Sequence, residues 1–402
     1  MPVTSICILG RQPKLGLVEL ESLFGSKNVR PVGSTAAVVD GAVDIKRCGG
    51  QLKTGVVLDT LDTTDFNKLI DHVRRNLPKL LRDVPEGKIK LGLSFYDFDV
   101  QVSKINSAAL SLKKIVKSAG RSVRIAPNTD PALSTAQTVH NQLASPVGIE
   151  FLFVRDGNKT IIARVSEVQN LNDYTARDRG RPKRDAFVGM LPPKLAQIMI
   201  NLAGNHVIPN EAVPTEPPEK VPQARLLDPF CGTGVILQEA ALKGLAVYGT
   251  DISERMVRYS RDNLNWLFDR YSIRTDVYYE TADATNHTWQ QPIDLIACEG
   301  YLGQPMSQEP PREKLEEIIH ECNGIMRDFL KNIAPQLKSG TSLCIGSPAW
   351  FVSGGVRHLP ALDDLKNLGY NRIDFEHANR EDLIYHREDQ IVGRELVVLT
   401  KE

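Results

Sequence analysis

Leu226-Leu227-Asp228-Pro229-Phe230-Cys231-Gly232-Thr233-Gly234 is the stretch on which the reading of this chain turns. A short apolar run stops at an acid and a proline. A turn of small residues follows, then the periodic run Val235-Ile236-Leu237-Gln238-Glu239-Ala240-Ala241. Strand, glycine-rich turn and helix in that order open a βαβ unit. Gly232 and Gly234 carry no side chain, so a ligand can lie directly against the backbone there.

The neighbouring residues narrow the ligand. A dinucleotide fingerprint calls for a third glycine near Leu237, and a phosphate-binding P-loop calls for Gly-Lys-Ser/Thr; neither is present. A second strand-like run, Ala246-Val247-Tyr248-Gly249-Thr250, ends instead at Asp251, an acid placed to take both hydroxyls of a ribose. Asp228 beside the turn disfavours a phosphate and suits a ligand with an ammonium group. A third acid follows in Thr281-Ala282-Asp283-Ala284-Thr285. S-adenosylmethionine fits this set, since it joins adenosine to an amino acid through a sulfonium and has no phosphate.

From Arg225 the βα alternation is regular, with strands expected at 225–227, 245–250, 277–281 and 293–298. A helix at 314–333 and a strand at 342–346 follow. The runs 370–377 and 390–400 read as neighbouring strands with no long helix between them, an antiparallel hairpin at the sheet edge. A Rossmann-like, seven-stranded α/β sheet with a closing hairpin is the expectation.

The first half of the chain reads differently. Strands are expected at 3–9, 36–39 and 55–58, and helices at 15–23 and 66–78, with Pro78 bending or ending the second. This mixture without regular alternation indicates an α+β, ferredoxin-like domain over 1–80. A second unit, 81–166, opens on the alternating strand 88–96. Its helix, 108–119, is apolar on one face and carries Lys113, Lys114 and Lys117 on the other. Arg121 and Arg124 flank the next strand, Ser134 or Thr135 can cap a short helix, and Asp156-Gly157-Asn158 signals a hairpin. The lysines read as a solvated face or as a phosphate-contacting patch. A cationic linker, 167–185, contains Arg177, Arg179, Arg181, Lys183 and Arg184; it either lies solvated or grips a polyanion entering the site. The α/β domain then covers 186–402.

Length and composition set bounds. A chain of 402 residues holds two or three domains, and 42% apolar with 24% charged residues is the balance of a soluble globular protein. With zero formal net charge, any affinity for nucleic acid must come from local patches. The six cysteines include no C-x-x-C pair, so a zinc site and a secreted disulfide framework are both unexpected. They read as reduced, packed thiols in the cytoplasm. No apolar run reaches membrane-spanning length, and no basic segment precedes the first short apolar run.

Ligands of open α/β sheets bind beyond the carboxyl ends of the strands. The loop after the fourth strand, Glu299-Gly300-Tyr301-Leu302-Gly303-Gln304-Pro305, leaves at that edge. A carboxylate and a flat aromatic beside a sulfonium methyl suit an exocyclic amine on a nucleobase, whose lone pair is delocalised into the ring. Glu299 and the Gly300 carbonyl can accept the amine protons, and Tyr301 can stack the unpaired base.

Taken together, these residues resemble the THUMP-domain tRNA guanine-N2 methyltransferases, which modify guanosine at position ten of tRNA. The resemblance covers nearly the whole chain. It is carried by 110–124 with 132–137, by 177–202, by 228–234 and by 385–398. It implies a ferredoxin-like domain, a THUMP domain that binds tRNA, and a class I methyltransferase domain. It implies S-adenosylmethionine contacts at Asp228, Gly232, Gly234, Asp251 and Asp283, with Phe230, Ile252 and Ala284 beside them. Phe187 and Pro192 match the segment that closes over the methionine end. The basic clusters make Lys113, Lys114, Lys117, Arg121, Arg124, Arg181 and Arg184 the expected tRNA contacts. No metal is expected; a monomer is, unless a small activating subunit is required. The family carries Asp-Pro-Pro-Tyr where this chain has Glu299-Gly300-Tyr301-Leu302. That departure leaves two rivals: methylation of another base amine such as adenine N6, and a catalytically impaired tRNA-binding protein.

Overall fold

A computed structural model describes residues 3–185, 191–204, 223–306 and 308–402. The chain divides into two compact units, Met1–Leu171 and Asn172–Glu402.

In the first unit β1 (Thr4–Leu9), α1 (Pro13–Phe24), β2 (Val29–Val32), β3 (Ala36–Asp40), β4 (Gln51–Leu61) and α2 (Phe66–Leu80) come first. Then follow β5 (Ile89–Tyr96), α3 (Val102–Ser118), β6 (Val123–Ile125), α4 (Thr135–His140), β7 (Gly148–Asp156) and β8 (Lys159–Val168). One eight-stranded sheet, ordered β2-β3-β1-β4-β8-β7-β5-β6, takes strands from both of the stretches that the sequence divides at residue 80. Its strands pair antiparallel except where β5 runs parallel to β7 and β6.

Local chemistry explains the elements. Asp65 caps α2 by accepting from the Lys68 amide at 2.9 Å, and Phe66, Leu69, Ile70, Val73 and Leu77 form its buried face. Pro78 does not end this helix; α2 continues to Leu80, and the proline removes the amide that would have bonded a carbonyl one turn back. Helix α3 starts six residues before its expected position, because fully buried Ile105 extends the apolar face upstream. Ser134, rather than Thr135, caps α4, in a capping box with Gln137. The hairpin joining β7 to β8 pairs Asp156 with Lys159, with Gly157 at φ 60° in the turn.

Beneath the sheet, Lys53 of β4 pairs with Glu150 of β7 at 2.5 Å, both nearly solvent-free. Ser94 and Thr138 hydroxyls each donate to the same carboxylate at 2.7 Å, and the ammonium also donates to the Leu133 carbonyl. A buried charge pair is tolerable only when its remaining lone pairs and protons are satisfied this way.

The second unit holds α5 (Leu171–Arg179, reaching in from the boundary), α6 (Pro193–Gly204), β9 (Arg225–Asp228), α7 (Val235–Leu242), β10 (Ala246–Asp251) and α8 (Glu254–Tyr271). Next come β11 (Val277–Thr281), β12 (Leu295–Glu299), α9 (Arg312–Ile333), β13 (Ser342–Val352), β14 (Gly355–Arg357), β15 (Tyr370–Arg372), β16 (Ile384–Tyr385) and β17 (Val392–Lys401). The main path of the sheet is β11-β10-β9-β12-β13-β17-β15. Strands β11 to β13 run parallel, while β17 is antiparallel to both β13 and β15, so the expected edge reversal is present.

The expected total of seven strands needs correction to nine. Strand β13 does not stop at Gly346 but runs to Val352 and turns back on itself as β14, and β16 adds to β17. The β-forming run Ala349-Trp350-Phe351-Val352 before Ser353-Gly354 is the cause: it prolongs the strand beyond the sheet rim. The basic linker also contains structure, since α5 occupies its middle and Arg177 is buried against Glu239 at 2.6 Å.

Candidate active site

The carboxyl ends of β9, β10, β11 and β12 meet at one rim, on either side of the point where the strand order reverses. A cavity of about 790 Å³ opens there. Asp228, Phe230, Gly232, Asp251, Ile252, Asp283, Ala284, Glu299, Gly300 and Tyr301 all line it, so ten of the sequence-derived site residues converge on one space.

The acids are held by backbone amides. Asp228 is 2% exposed and accepts from the Phe230 amide at 3.2 Å. Burial pushes its carboxyl well above the usual range, and the charges of Asp251 and Glu299 push the same way. Asp251 accepts from the Gly232 amide and from the Ser253 amide, each at 2.9 Å. Burial raises its carboxyl as well, against those two hydrogen bonds. Asp283 lies low instead, because the Thr285 amide and hydroxyl stabilise its charged form at 3.0 and 2.7 Å. Gly232 sits at φ 50°, a left-handed conformation that turns its amide toward Asp251.

Gly234 departs from expectation. It is not among the lining residues; it caps α7 at φ 80°, and a Cβ there would come within 2.6 Å of the Ser260 hydroxyl on α8. Its bare backbone admits the neighbouring helix α8.

Glu299 ends β12, level with Gly346 of β13, and the Gly300 amide donates to the Gly346 carbonyl at 3.0 Å. The Glu299–Gly300 peptide is therefore fixed to the sheet, and the Gly300 carbonyl sits on the next peptide along the loop. Burial, reinforced by the charge of neighbouring Glu321, pushes Tyr301 up. The side chain that grips Glu299 is Arg394 of β17, whose Nε donates to Oε1. Sequence reasoning missed it because 95 residues separate the partners. The available signal was a lone arginine in the apolar run Val392–Leu399.

The other expected residues divide. Leu191 lines the cavity, whereas half-buried Pro192 does not, and Phe187 lies outside the described residues. Lys114, Lys117, Arg124 and Arg184 are exposed, and Lys113 is partly so. Arg121 donates to the carbonyls of Val84, Pro85 and Gly87 at 2.5–3.2 Å, so it braces a loop. Arg181 is not a surface cation: it is 3% exposed, and none of its guanidinium nitrogens has a partner among the described residues. Burial lowers it to about 10. All six cysteines are buried thiols. Among the described residues there is no cluster of His, Cys, Asp and Glu that could hold a metal, and no helix long and apolar enough to cross a membrane.

Residues 220–367 match a family model described as a methyltransferase domain. A tRNA (guanine(10)-N2)-dimethyltransferase of Methanothermobacter thermautotrophicus is 33% identical over 173 residues, 42% of this chain and 43% of that one. The protein of the same name from Methanocaldococcus jannaschii is 28% identical over 172 residues, 41% of this chain and 43% of its own length. The chain thus spans less than half the length of the curated relatives it matches. The crystal structure of TrmN from Thermus thermophilus aligns over 100% of both chains at 15% identity, with a TM-score of 0.50, a likeness of fold.

Proposed function

We propose that this chain is an S-adenosylmethionine-dependent methyltransferase acting on the N2 amine of guanine in tRNA. The observation that carries the reading is the meeting of Asp228, Asp251, Asp283 and the Glu299-Gly300-Tyr301 loop around one cavity. About 790 Å³ lies within the roughly 300–1,000 Å³ range of ligand sites. Three acids on its wall suit a ligand that carries a sulfonium and an ammonium. When bound, that ligand supplies an electrophilic methyl group.

The residues of the chain do the rest. Asp251, tied to the glycine turn, accepts from ribose hydroxyls, and Asp283 stands near the adenine end. Asp228 faces the cationic end. Tyr301 stacks the extruded base, and Glu299 with the Gly300 carbonyl accepts the amine protons. Aligning acceptors on both N–H groups favours the reactive form and stabilises the positive charge that develops on nitrogen. Glu299 can then take the proton that the methylated amine sheds. The names and partial identity of the two archaeal relatives support guanine N2 as the target.

The eight-stranded unit is the proposed tRNA-binding part, combining the ferredoxin-like segment 1–80 and the THUMP segment 81–166 within one sheet. Lys113, Lys114, Lys117 and Arg124 are its proposed phosphate contacts, with Arg184 beyond it. The test is incubation of the full chain with bulk tRNA and methyl-labelled cofactor, then nucleoside mass spectrometry. Label on N2-methylguanosine is expected. Label on another nucleoside, or cofactor binding with no transfer to any tRNA, overturns the reading.

A further inference from the structure

We infer that Arg394 is a positioning residue for methyl transfer: its guanidinium holds one oxygen of Glu299 so that the other stays aimed at the substrate amine. The inference rests on the reading of Glu299 as the amine-proton acceptor and adds a residue to that site.

A glutamate reaches its carboxylate through three rotatable bonds, and fixing such a chain costs conformational entropy. The residue after it, Gly300, has no ring to stiffen the loop. Something else must hold the acceptor, because a displacement of about 1 Å at a reacting centre costs on the order of a hundredfold in rate. Arg394 meets that need. Its Nε donates to Glu299 Oε1, and the two side chains are 10% and 16% exposed. A charge-assisted bond of this kind is roughly twice as strong as a neutral one. Oε2 accepts no hydrogen bond from the described residues and remains for a ligand.

The sheet makes the reach possible. Glu299, Gly346 and Leu396 form one row across β12, β13 and β17, and Arg394 stands two residues along from Leu396 on the same face. The middle of that row is a glycine, so no side chain of β13 stands between the arginine and the acid at that level. Strand alternation sends the next residue, Glu395, to the other face, where it binds Arg372 and His358 at 2.6 Å each. The two adjacent charges therefore do not compete for each other's partners. The pairing also places a cation at a rim that carries the carboxylates of Asp228, Asp251 and Glu299.

The test uses the full chain with Arg394→Ala, Arg394→Lys, Glu299→Gln and the Arg394→Ala/Glu299→Gln double variant, under single-turnover conditions with bulk tRNA. Arg394→Ala is expected to slow transfer about a hundredfold, with cofactor affinity and tRNA KM within about twofold of the parent chain. Low millimolar guanidinium should restore part of the lost rate, and Arg394→Lys should fall between. In the Glu299→Gln background the Arg394→Ala step should cost little more, because the arginine acts only through the acid. Full activity of Arg394→Ala overturns the inference. So does a loss that adds fully to that of Glu299→Gln, or one that follows a fallen melting temperature and that neither guanidinium nor lysine relieves. A parent chain that transfers nothing to tRNA overturns the reading of the site, and the positioning role with it.

Discussion

The Gly232 amide donates to Asp251 Oδ2 at 2.9 Å, tying the acid at the end of β10 to the turn that follows β9. The Ser253 amide takes the other oxygen at the same distance. The acid proposed to bind ribose is thus oriented before any ligand arrives. Asp251→Asn keeps the shape but loses the anionic acceptor and turns part of its amide toward two amides that need an acceptor. A loss of about 1.5–3 kcal/mol in cofactor binding is expected, roughly 10- to 150-fold in Kd by calorimetry. An unchanged Kd would place the ribose elsewhere.

If Asp228 faces the cationic end of the cofactor as proposed, cofactor binding should be pH-dependent, with a definite sign. Its carboxyl is raised in the unligated fold, and a cation beside it favours the ionised form. Binding therefore releases a proton, and affinity rises with pH until Asp228 is ionised in the free protein. The stability effect runs the other way. A raised folded-state carboxyl contributes stability that is present below its unfolded value, near 3.9, and is lost as pH rises through its folded value. Calorimetry in buffers of different ionisation heat measures the released proton. Asp228→Asn should abolish that proton release, weaken binding, and raise the melting temperature of the unligated chain most at the alkaline end.

Gly234→Ala should destabilise the second unit. A left-handed alanine costs about 1–2 kcal/mol by itself, and the Cβ would also press on Ser260 at 2.6 Å. Cost of this size lowers the melting temperature by about 2–8 °C, measurable by calorimetry. If the glycine served chiefly as a ligand cradle, cofactor affinity would fall with little change in melting temperature.

The cations of the first unit divide into groups with different expected effects. Charge removal at Lys113, Lys114, Lys117 and Arg124 should weaken tRNA binding and flatten its salt dependence by roughly one unit of slope per phosphate contact. Arg121→Ala should lower the melting temperature, since three carbonyls lose their donor. Unchanged salt slopes across the lysine variants would remove the patch from the interface.

Arg181 tests burial against charge. Its guanidinium is buried without a hydrogen-bond acceptor among the described residues, and an unmade buried bond costs about 1–3 kcal/mol per group. Arg181→Met should keep or raise the melting temperature and leave the tRNA salt slope unchanged. A large loss of tRNA affinity in this variant would return Arg181 to the phosphate contacts.

Much of the site was legible because its residues are local to strand ends. The glycine turn, Asp251, Asp283 and Glu299 each follow a run of β formers, and a parallel sheet carries all such ends to one rim. Turn and cap chemistry was equally local, as at Asp156-Gly157-Asn158 and Ser134. What sequence did not reveal depends on distance along the chain or on which side of an element faces inward. The pairing of Arg394 with Glu299 spans three strands, Gly234 meets a helix that starts twenty residues on, and Arg181 looks in sequence like its exposed neighbours. The amino-acid order alone set the strand–turn–helix units and the acids at their ends, because period and turn chemistry act between near neighbours. The tertiary structure alone decided which cations are buried and which side chain grips the proposed acceptor, because those depend on surfaces that exist only once the sheet has formed.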